Sequence, residues 1–446
     1  MRPIPRTKPY VDLLQDFPGN RLSEVLGSGI GPTQNGRYLH WEEIRRRPPP
    51  KGLTSEEWWL GTKIARSYLR RELPVLDAFR RPFSYALVDP LQELLHQIDQ
   101  KAAGQITIDA EVTNRETRDR YIVNSLIEEA ITSSQLEGAA TTREVAADMI
   151  RSGRRPQDRS ERMIVNNYLG VNFVRTLVGK QLEPDDVLDL HRKLTEDTLD
   201  EPEMAGRLQR PGDKRVHVAD NRTNAILYEP PPAEELPDRL QRMCDFANKK
   251  LDGEHFVHPI IRAVTLHFWL AIDHPFVDGN GRTARALFYW SMLTDGYWLF
   301  EYVSISTILK NAFAKYARSY LYAESDENDA TYFVLFQLSV IVQAIEKLEA
   351  YLQGKIAQVR TVERTLRSRY DLNHRQFALL SHALRHPNAE YTIASHKRSH
   401  KVAYATARAD LLNLAEDGLL AQRRLGGKTH VFSVPNDLHE IVAKDT

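Results

Sequence analysis

The chain has 446 residues, of which 42% are hydrophobic and 27% charged, with 60 basic and 60 acidic side chains. This length predicts two or three domains, and the ordinary composition excludes collagen-like and wholly disordered proteins. The zero net charge argues against a surface built entirely for nucleic acid, although a local basic patch remains compatible with it. The single cysteine, Cys244, excludes an internal disulfide and favours a reducing compartment. Because the first residues lack the apolar core of a signal peptide, we expect a cytoplasmic protein.

Residues 1–117 are predicted to form a partly helical N-terminal extension whose role cannot be read from the sequence. Trp58 and Trp59 begin a stretch with helical spacing, whereas the run from Arg45 to Gly52 contains three prolines, which cannot continue a helix. The three arginines of this run could contact phosphate, but a solvated loop is the more ordinary interpretation.

Residues 118–350 have helical apolar spacing almost throughout, which predicts a mainly α fold. One helix, at about 119–138, is expected to end at Gly138 in a left-handed cap. Another begins at Pro184, which is followed by two aspartates and is a good helix start.

A short interruption lies within this helical region, at about 206–230. Val216, His217 and Val218 are part of an alternating run typical of a strand, and Ile226 lies in a second apolar run after an Asp-Asn turn signal. We therefore predict a small β-hairpin inside the helical domain.

The C-terminal part changes character after a charged linker helix at about 351–370. Between 371 and 440, helical patterns followed by two short strands around a Gly-Gly turn are typical of a winged helix. From residue 360 to the end there are 14 Lys and Arg against 9 Asp and Glu. DNA binding is one interpretation, and a protein-interaction or dimer module is the other. The basic residues near the expected recognition helix are Lys397, Arg398, Lys401 and Arg408.

The most informative stretch runs from His274 to Arg285 and reads His-Pro-Phe-Val-Asp-Gly-Asn-Gly-Arg-Thr-Ala-Arg. Apolar helical segments precede and follow it, so it is predicted to be a turn between two buried helices. Gly279 and Gly281 allow the backbone to approach a ligand closely, and free amides at the start of the second helix favour an anion. Arg282 lies three residues before Arg285, so both can face that anion. This combination predicts a polyphosphate site.

Two further side chains of this stretch point to phosphoryl or nucleotidyl transfer. Asp278 beside an anion site would be unfavourable unless a cation bridged it to phosphate, and Mg²⁺ is commonly held by one carboxylate plus substrate phosphates. A neutral His274 across the turn could take the proton of an attacking hydroxyl. Each of these features alone has a more ordinary interpretation. Such a histidine is more often a core residue, and Gly-Asn-Gly is usually a turn. Asp278 and Arg282 would normally form a surface ion pair. Their conjunction favours a catalytic site.

The stretch resembles the signature of Fic-domain proteins, His-x-Phe-x-Asp/Glu-Gly-Asn-Gly-Arg-x-x-Arg, with every fixed position matched. The resemblance covers about residues 118–350, and a C-terminal winged helix is a frequent companion in bacterial members. Most members with an intact motif transfer AMP from ATP to a hydroxyl of a target protein. The resemblance thus implies a helical Fic core with a small β-hairpin flap, followed by a winged-helix domain.

The resemblance also implies a role for each site residue. His274 would be the base, Asp278 would hold Mg²⁺, and Arg285 would face the γ-phosphate of ATP. The flap residues Val216, His217 and Val218 would hold an extended segment of the target by strand addition. The residues that would bind the α- and β-phosphates are Gly279, Asn280, Gly281 and Arg282.

A second match lies at Ser133–Gly138, which reads Ser-Ser-Gln-Leu-Glu-Gly and resembles the family's inhibitory Ser/Thr-x-x-x-Glu-Gly/Asn element. Ser133 and Glu137 are four residues apart and share a helix face. Glu137 is expected to pair with Arg285 in place of the γ-phosphate and to leave ATP misaligned. The chain therefore resembles members with an N-terminal inhibitory helix.

The sequence thus predicts a Mg²⁺-dependent protein adenylyltransferase that modifies a target protein or itself and is restrained by Glu137. Removal of AMP by the same site stays open, as does a DNA-binding transcriptional regulator in which the Fic site is regulatory. Transfer of phosphate, another nucleotide or phosphocholine is a minor alternative, because kinase-like relatives depart from Gly-Asn-Gly-Arg. A homodimer is compatible with the sequence, and no membrane association is expected.

Overall fold

The protein is mainly helical, with three small antiparallel sheets among the described residues, and this confirms the predicted fold class. No helix in the described part of the chain is long and apolar enough to cross a membrane. The computed structural model describes residues 4, 6–102, 115–213, 215, 218–219, 226–251, 255–385, 389–424 and 430–435.

The chain forms two compact units. One comprises Met1–Gln105 and Asn124–Ile345, and the other Ile106–Val123 and Glu346–Thr446. Residues 1–105 of the N-terminal extension therefore belong to the same unit as the motif-bearing helices. The helices are α1 (Tyr10–Asp16), α2 (Gly19–Gly27), α3 (Trp41–Ile44), α4 (Ser55–Ser67), α5 (Asp89–Ala102), α6 (Arg115–Leu136), α7 (Arg143–Ser152), α8 (Arg159–Leu177), α9 (Pro184–Thr195), α10 (Leu236–Ala247), α11 (Pro259–Asp273), α12 (Asn280–Thr294), α13 (Ile305–Asn311), α14 (Phe313–Ser325), α15 (Thr331–Arg369), α16 (His374–Arg385), α17 (Ile393–His400) and α18 (Tyr404–Glu416). The strands are β1 (Arg70–Leu76), β2 (Pro82–Ala86), β3 (Val218–Ala219), β4 (Ile226–Tyr228), β5 (Glu390–Thr392), β6 (Ala421–Arg424) and β7 (His430–Ser433).

The helix pair α11 and α12 forms the centre of the first unit, and α8, α9 and α10 pack around it. Nearly every side chain of α11 and α12 is buried, because apolar residues surround each helix rather than form one stripe. The side chain of His258 caps α11 by accepting a hydrogen bond from the amide of Ile260, and Pro259 takes the first helical position. In α10, the single cysteine, Cys244, is completely buried.

A buried ionic network attaches the N-terminal extension to α14 and α15 within this unit. Lys63 on α4 donates a hydrogen bond to Asp326 at 2.7 Å, and the Tyr332 hydroxyl donates to the same carboxylate at 2.8 Å. Arg66, one turn after Lys63, donates to the Tyr332 hydroxyl at 2.9 Å and to the carbonyl of Leu39 at 2.8 Å. Buried charges are unfavourable unless they are paired, so this network specifies how the extension packs.

The extension also contains a hairpin, β1–β2, that the sequence did not predict. Pro74 lies inside β1, and a proline argues against a strand because it cannot donate a ladder hydrogen bond. The three arginines at 45–47 follow α3 and form ion pairs with Glu42 and Glu43. These local pairs agree with the interpretation of a solvated surface segment.

The second unit contains α16, β5, α17, α18, β6 and β7 in that order, and its sheet has the strand order β5-β7-β6. Its apolar core includes Leu380, Leu411 and Phe432. Asp410 on α18 accepts hydrogen bonds from Arg375 on α16 at 2.7 Å and from His396 on α17 at 3.1 Å. One buried carboxylate thus holds all three helices together.

Candidate active site

The turn between α11 and α12 comprises residues 274–279 and has a left-handed residue at each end. His274 has φ 44° and ψ 55°, and Gly279 has φ 84°. A β-carbon on Gly279 would lie 2.7 Å from Thr195 Cγ2 and 3.2 Å from His191 Nε2, so a side chain does not fit there. A left-handed non-glycine residue such as His274 is uncommon, and such strained positions concentrate at functional sites.

The side chain of Asn280 closes this turn. Its Oδ1 accepts a hydrogen bond from the amide of Phe276 at 3.0 Å, and its Nδ2 donates to the carbonyl of Phe276 at 2.8 Å. Since both ends of the side chain are used within the turn, Asn280 offers a ligand its backbone amide rather than its carboxamide. That amide and the amide of Gly281 form the feature that we call the amide nest, whereas the amide of Gly279, which the sequence also predicted for phosphate binding, donates to Asp278 Oδ1.

Arg282 lies under the amide nest and is completely buried. One terminal nitrogen donates to the carbonyl of Leu194 at 2.9 Å. Its Nε and its other terminal nitrogen have no hydrogen-bond partner among the described residues, although Asp278 lies at an ion-pair distance of 3.5 Å. Burial lowers the pKa of this guanidinium. Unpaired N–H groups in such a place are unfavourable until an anion accepts from them.

Asp278 carries the only carboxylate in the turn itself, and this side chain is 42% exposed. Its Oδ1 accepts a hydrogen bond from the amide of Gly279 at 2.6 Å, while Arg159 at the start of α8 lies 3.8 Å from Oδ2. The described residues contain no group of three or more His, Cys, Asp or Glu that could hold a metal. A single accessible carboxylate fits Mg²⁺ only where phosphate oxygens complete the coordination.

His274 is held in place through its backbone, and its side chain is partly buried. Its carbonyl accepts a hydrogen bond from Arg215 at 3.2 Å, and Arg215 also donates to the carbonyls of Asp273 at 3.0 Å and Pro231 at 2.8 Å. Burial lowers the pKa of His274 from 6.5, so the imidazole is neutral at pH 7 and able to accept a proton. The contacts of Arg215 could not be predicted from the sequence, because nothing local indicates contacts with a segment almost 60 residues away.

The end of α6 lies against Arg285, which is buried. The Nε of Arg285 donates to the Ser133 hydroxyl at 2.8 Å, and a terminal nitrogen donates to the Ser133 carbonyl at 3.0 Å and to Glu137 Oε1 at 2.8 Å. A β-carbon on Gly281 would lie 2.1 Å from the same Oε1. The structure therefore brings Ser133, Glu137, Arg285 and the amide nest together, with the carboxylate over the nest.

A second contact fastens α6 to the core, about two turns before Glu137. Glu129 is buried and accepts hydrogen bonds from the hydroxyls of Tyr289 and Ser304, both at 2.9 Å. The amide of Ser306 donates to it at 3.2 Å. Glu129 could not be predicted from the sequence as a contact residue, since a glutamate on a helix gives no sign of burial.

His191 on α9 is a further buried residue that contacts the turn. Its ring stacks on that of Phe276, with centroids 3.7 Å apart and planes 5° from parallel. Nε2 lies 2.8 Å from the carbonyl of Asp278, and Nδ1 accepts a hydrogen bond from the amide of Gly206 at 2.9 Å. Burial lowers the pKa of His191 to about 4. The sequence did not predict a role for His191, because a histidine on an amphipathic helix does not by itself indicate a contact with a distant turn.

The predicted flap is described in part. Val218–Ala219 pairs with Ile226–Tyr228 as an antiparallel ladder in which Val218 lies opposite Tyr228. Val216 and His217 lie outside the described residues.

Comparison with known proteins shows which family the central region resembles. Residues 181–292 match the Fic/DOC family. The chain is 25% identical over 231 residues to protein adenylyltransferase fic-1 of Caenorhabditis elegans, a match that covers 51% of this chain and 40% of that protein. It is 29% identical over 199 residues to protein adenylyltransferase Fic of Nematostella vectensis, a match that covers 44% of this chain and 43% of that protein. The matched region thus spans about two-fifths of the length of these relatives.

A solved structure resembles a larger part of the chain. A Fic family protein from Desulfovibrio desulfuricans aligns with 79% of this chain and 98% of its own, with a TM-score of 0.50 and 21% identity. At that identity the likeness shows a shared fold. The resemblance to Fic-domain proteins that the motif predicted is confirmed by these comparisons.

Proposed function

We propose that this chain, whose residues 181–292 are a Fic/DOC domain, is a protein adenylyltransferase that transfers AMP from ATP to a hydroxyl of a target protein or of itself. The observation that carries the proposal is the buried Arg282, two of whose nitrogen atoms lack hydrogen-bond partners among the described residues. Arg282 lies beside the amide nest and the Asp278 carboxylate. Together these groups could bind a nucleoside triphosphate and its cation. The names of the relatives agree with this chemistry.

The proposed reaction joins the target's hydroxyl oxygen to the α-phosphorus of ATP. His274 accepts the hydroxyl proton, the bond between the α-phosphorus and the α–β bridging oxygen breaks, and pyrophosphate leaves. The amide nest and Arg282 stabilise the negative charge that develops on the phosphate oxygens. Because burial keeps His274 neutral, the base needs no prior deprotonation at pH 7.

Asp278 is the residue that would hold Mg²⁺ in this reaction. When bound, the ion neutralises charge on the phosphates of the nucleotide. Asp278 is accessible and its Oδ2 has no contact shorter than the 3.5 Å ion pair with Arg282 among the described residues, so it can take a ligand that arrives with the nucleotide.

Glu137 restrains the site in this proposal. Its carboxylate forms the 2.8 Å ion pair with Arg285 and stands over Gly281. A γ-phosphate needs the same guanidinium, and like charges exclude each other at that distance. ATP therefore binds productively only after Glu137 has left Arg285.

Radioactive transfer from α-³²P ATP tests the proposal. The Glu137→Gly variant is expected to label itself or proteins of a lysate more strongly than the unmodified chain, and added AMP is expected in the mass spectrum of the labelled protein. The same variant with His274→Ala is the matched control, which retains the nucleotide site but lacks the base. Labelling that persists undiminished in the control would contradict the assignment of His274.

A second function, DNA binding, is favoured by the surface of the second unit. The last turn of α17 and the first half of α18 expose basic side chains, and so does β6, while the acidic Asp410 of α18 is buried inside the unit. We propose that these basic side chains contact the phosphates of duplex DNA. The exposed basic residues are Lys397, Arg398, Lys401, Arg408, Arg423 and Arg424.

Fluorescence anisotropy with a labelled duplex tests the second proposal on the full chain. We expect binding that weakens steeply between about 50 and about 200 mM salt, and that is lost when Lys397, Arg398 and Lys401 are changed to Ala. Changing Lys180 and Lys315, which are exposed in the first unit, is the control and should leave binding unaltered. Equal binding by both variants would contradict the proposal.

A further inference from the structure

His191 has no part in the proposed chemistry, yet it is a buried polar side chain that contacts the catalytic turn directly. The helix that carries it, α9, also supplies the Leu194 carbonyl that Arg282 donates to and the Thr195 methyl group that lies under Gly279. This helix therefore supports the turn at two points and Arg282 of α12 at a third. Among these, His191 contacts the residue that carries the turn's carboxylate.

The hydrogen bonds of His191 define one form of its ring. A backbone amide can only donate, so Nδ1, which lies 2.9 Å from the amide of Gly206, must be the acceptor. In the neutral ring the proton is then on Nε2, which donates to the carbonyl of Asp278 at 2.8 Å. Both ring nitrogens are used, and the face of the ring rests on Phe276.

This donated hydrogen bond fixes the orientation of a peptide plane. The peptide between Asp278 and Gly279 is planar and trans, so its carbonyl and its N–H point in opposite directions. With the carbonyl held towards α9 by His191, the Gly279 N–H must face away from α9. There it donates to Asp278 Oδ1 at 2.6 Å. A continuous path thus leads from the imidazole, through one peptide, to the carboxylate.

We propose that His191 is a positioning residue that, through the Asp278–Gly279 peptide, aims the Asp278 carboxylate at the cation of the bound nucleotide. This inference rests on the proposed function, because it concerns how that site takes a metal–nucleotide complex. A partner of this kind outside the coordination sphere typically changes metal affinity by 10- to 100-fold when it is removed. Gly206 lies at the entry to the flap segment, so the same ring also joins that entry to the turn.

Titration calorimetry of ATP measures the effect without turnover. The background is Glu137→Gly with His274→Ala, which frees Arg285 and removes the base. Each variant is titrated once with excess Mg²⁺ and once with EDTA. We expect His191→Phe, which keeps the stacked ring but has no nitrogen, to raise the Kd with Mg²⁺ by about 10-fold and the Kd in EDTA by less than about 2-fold. His191→Gln, which retains an N–H donor, is expected to recover most of the loss.

Val187→Ala is the matched control for damage to α9. Val187 lies one turn before His191 and is fully buried, so its truncation lowers the melting temperature and should leave the ratio of the two Kd values unchanged. Equal losses in Mg²⁺ and EDTA for His191→Phe, or a glutamine variant as weak as the phenylalanine one, would overturn the inference. If the background itself bound no ATP, the proposed function would fail as well, whereas normal binding with no effect of His191→Phe overturns the positioning role alone.

The ring can also be examined in the unmodified chain, which decides the matter if His191→Phe does not fold. Nitrogen NMR of labelled histidines, assigned with the His191→Gln variant, reports which ring nitrogen carries the proton. A proton on Nε2 supports the hydrogen bond to Asp278. A proton on Nδ1 overturns it, because Nε2 then has none to donate.

Discussion

The turn between α11 and α12 and the end of α6 meet at the proposed anion site, but they are held by different kinds of contact. In the turn, Asn280 bonds both backbone groups of Phe276, four residues away, and α9 supports it from below. At the end of α6, Ser133 and Glu137 reach Arg285 across 152 and 148 residues of sequence. Glu137 is 27% exposed, whereas Arg285 is 2% exposed.

This difference indicates that the end of α6 can move away without disrupting the turn. The contacts within the turn are buried and local, so they persist when a distant segment shifts. The contacts of α6 with Arg285 end in a partly exposed carboxylate, and local opening is easiest where few buried groups are engaged. We therefore expect changes in the turn to remove function and changes at the end of α6 to increase it.

The largest loss is expected from Arg282→Ala. The substitution removes a buried guanidinium that the anion needs, so the Kd for Mg²⁺-ATP in the Glu137→Gly chain should rise by about 100-fold. Calorimetry measures this, with Arg282→Lys as the companion variant. Lysine keeps the charge without the forked geometry and should recover only part of the affinity. Unchanged affinity in the alanine variant would place the phosphates elsewhere.

Asn280→Ala tests how far the turn depends on one side chain. It leaves the buried amide and carbonyl of Phe276 without partners, so the free energy of unfolding should fall by about 1–3 kcal/mol. Urea denaturation measures the fall, and ATP binding should weaken in parallel. Asn280→Asp retains the acceptor but not the donor, so its free energy of unfolding is expected to lie between those of the unmodified chain and the alanine variant. A stable alanine variant with normal ATP affinity would show that the turn holds its shape without this bridge.

Ser133→Ala is expected to act in the opposite direction and more weakly. It removes the hydroxyl that accepts from Arg285 Nε, while the Ser133 carbonyl and Glu137 still hold the guanidinium. AMP transfer should increase by about 5-fold, the equivalent of one hydrogen bond of about 1 kcal/mol. Ser134→Ala is the control, since Ser134 donates to the Met163 carbonyl and does not bind Arg285. A gain of the same size in both variants would indicate general loosening of α6.

The smallest expected effect is that of pH on the derepressed enzyme. In the proposed mechanism His274 acts in its neutral form, and burial lowers its pKa from 6.5. The transfer rate of the Glu137→Gly variant should therefore be level between about pH 7 and pH 8 and fall only below about pH 6.5, as the imidazole becomes protonated. Initial rates across this range measure it, and an acid limb centred above 6.5 would contradict the neutral base.

The geometry of the turn at residues 274–279 could be predicted because the residues that form it are contiguous in the sequence. His274, Asp278 and Arg282 follow one another at intervals of four residues between two apolar helices. Local rules for glycine and for helix starts predict a tight turn that leads into a helix, and the structure has that turn between α11 and α12. That the turn binds an anion stays a prediction.

The contacts that support the turn could not be predicted, because they join segments distant in the sequence. Arg215 reaches the His274 carbonyl and His191 the Asp278 carbonyl, and neither residue type signals such a partner. The same holds for the ion pair of Lys63 with Asp326, 263 residues later. Strand β1 could not be predicted for a different reason. It contains Pro74, and proline has no N–H to donate to a regular ladder of hydrogen bonds.

The single cysteine has a practical consequence for following α6. Cys244 is completely buried, and burial raises the pKa of its thiol to about 12, so it stays protonated and inert towards maleimides. A cysteine introduced at the exposed Ala140, three residues after Glu137, would be the one site that takes a fluorophore. Cys244 therefore needs no replacement before labelling. Movement of the end of α6 away from Arg285 is then expected to change the fluorescence emission of the label.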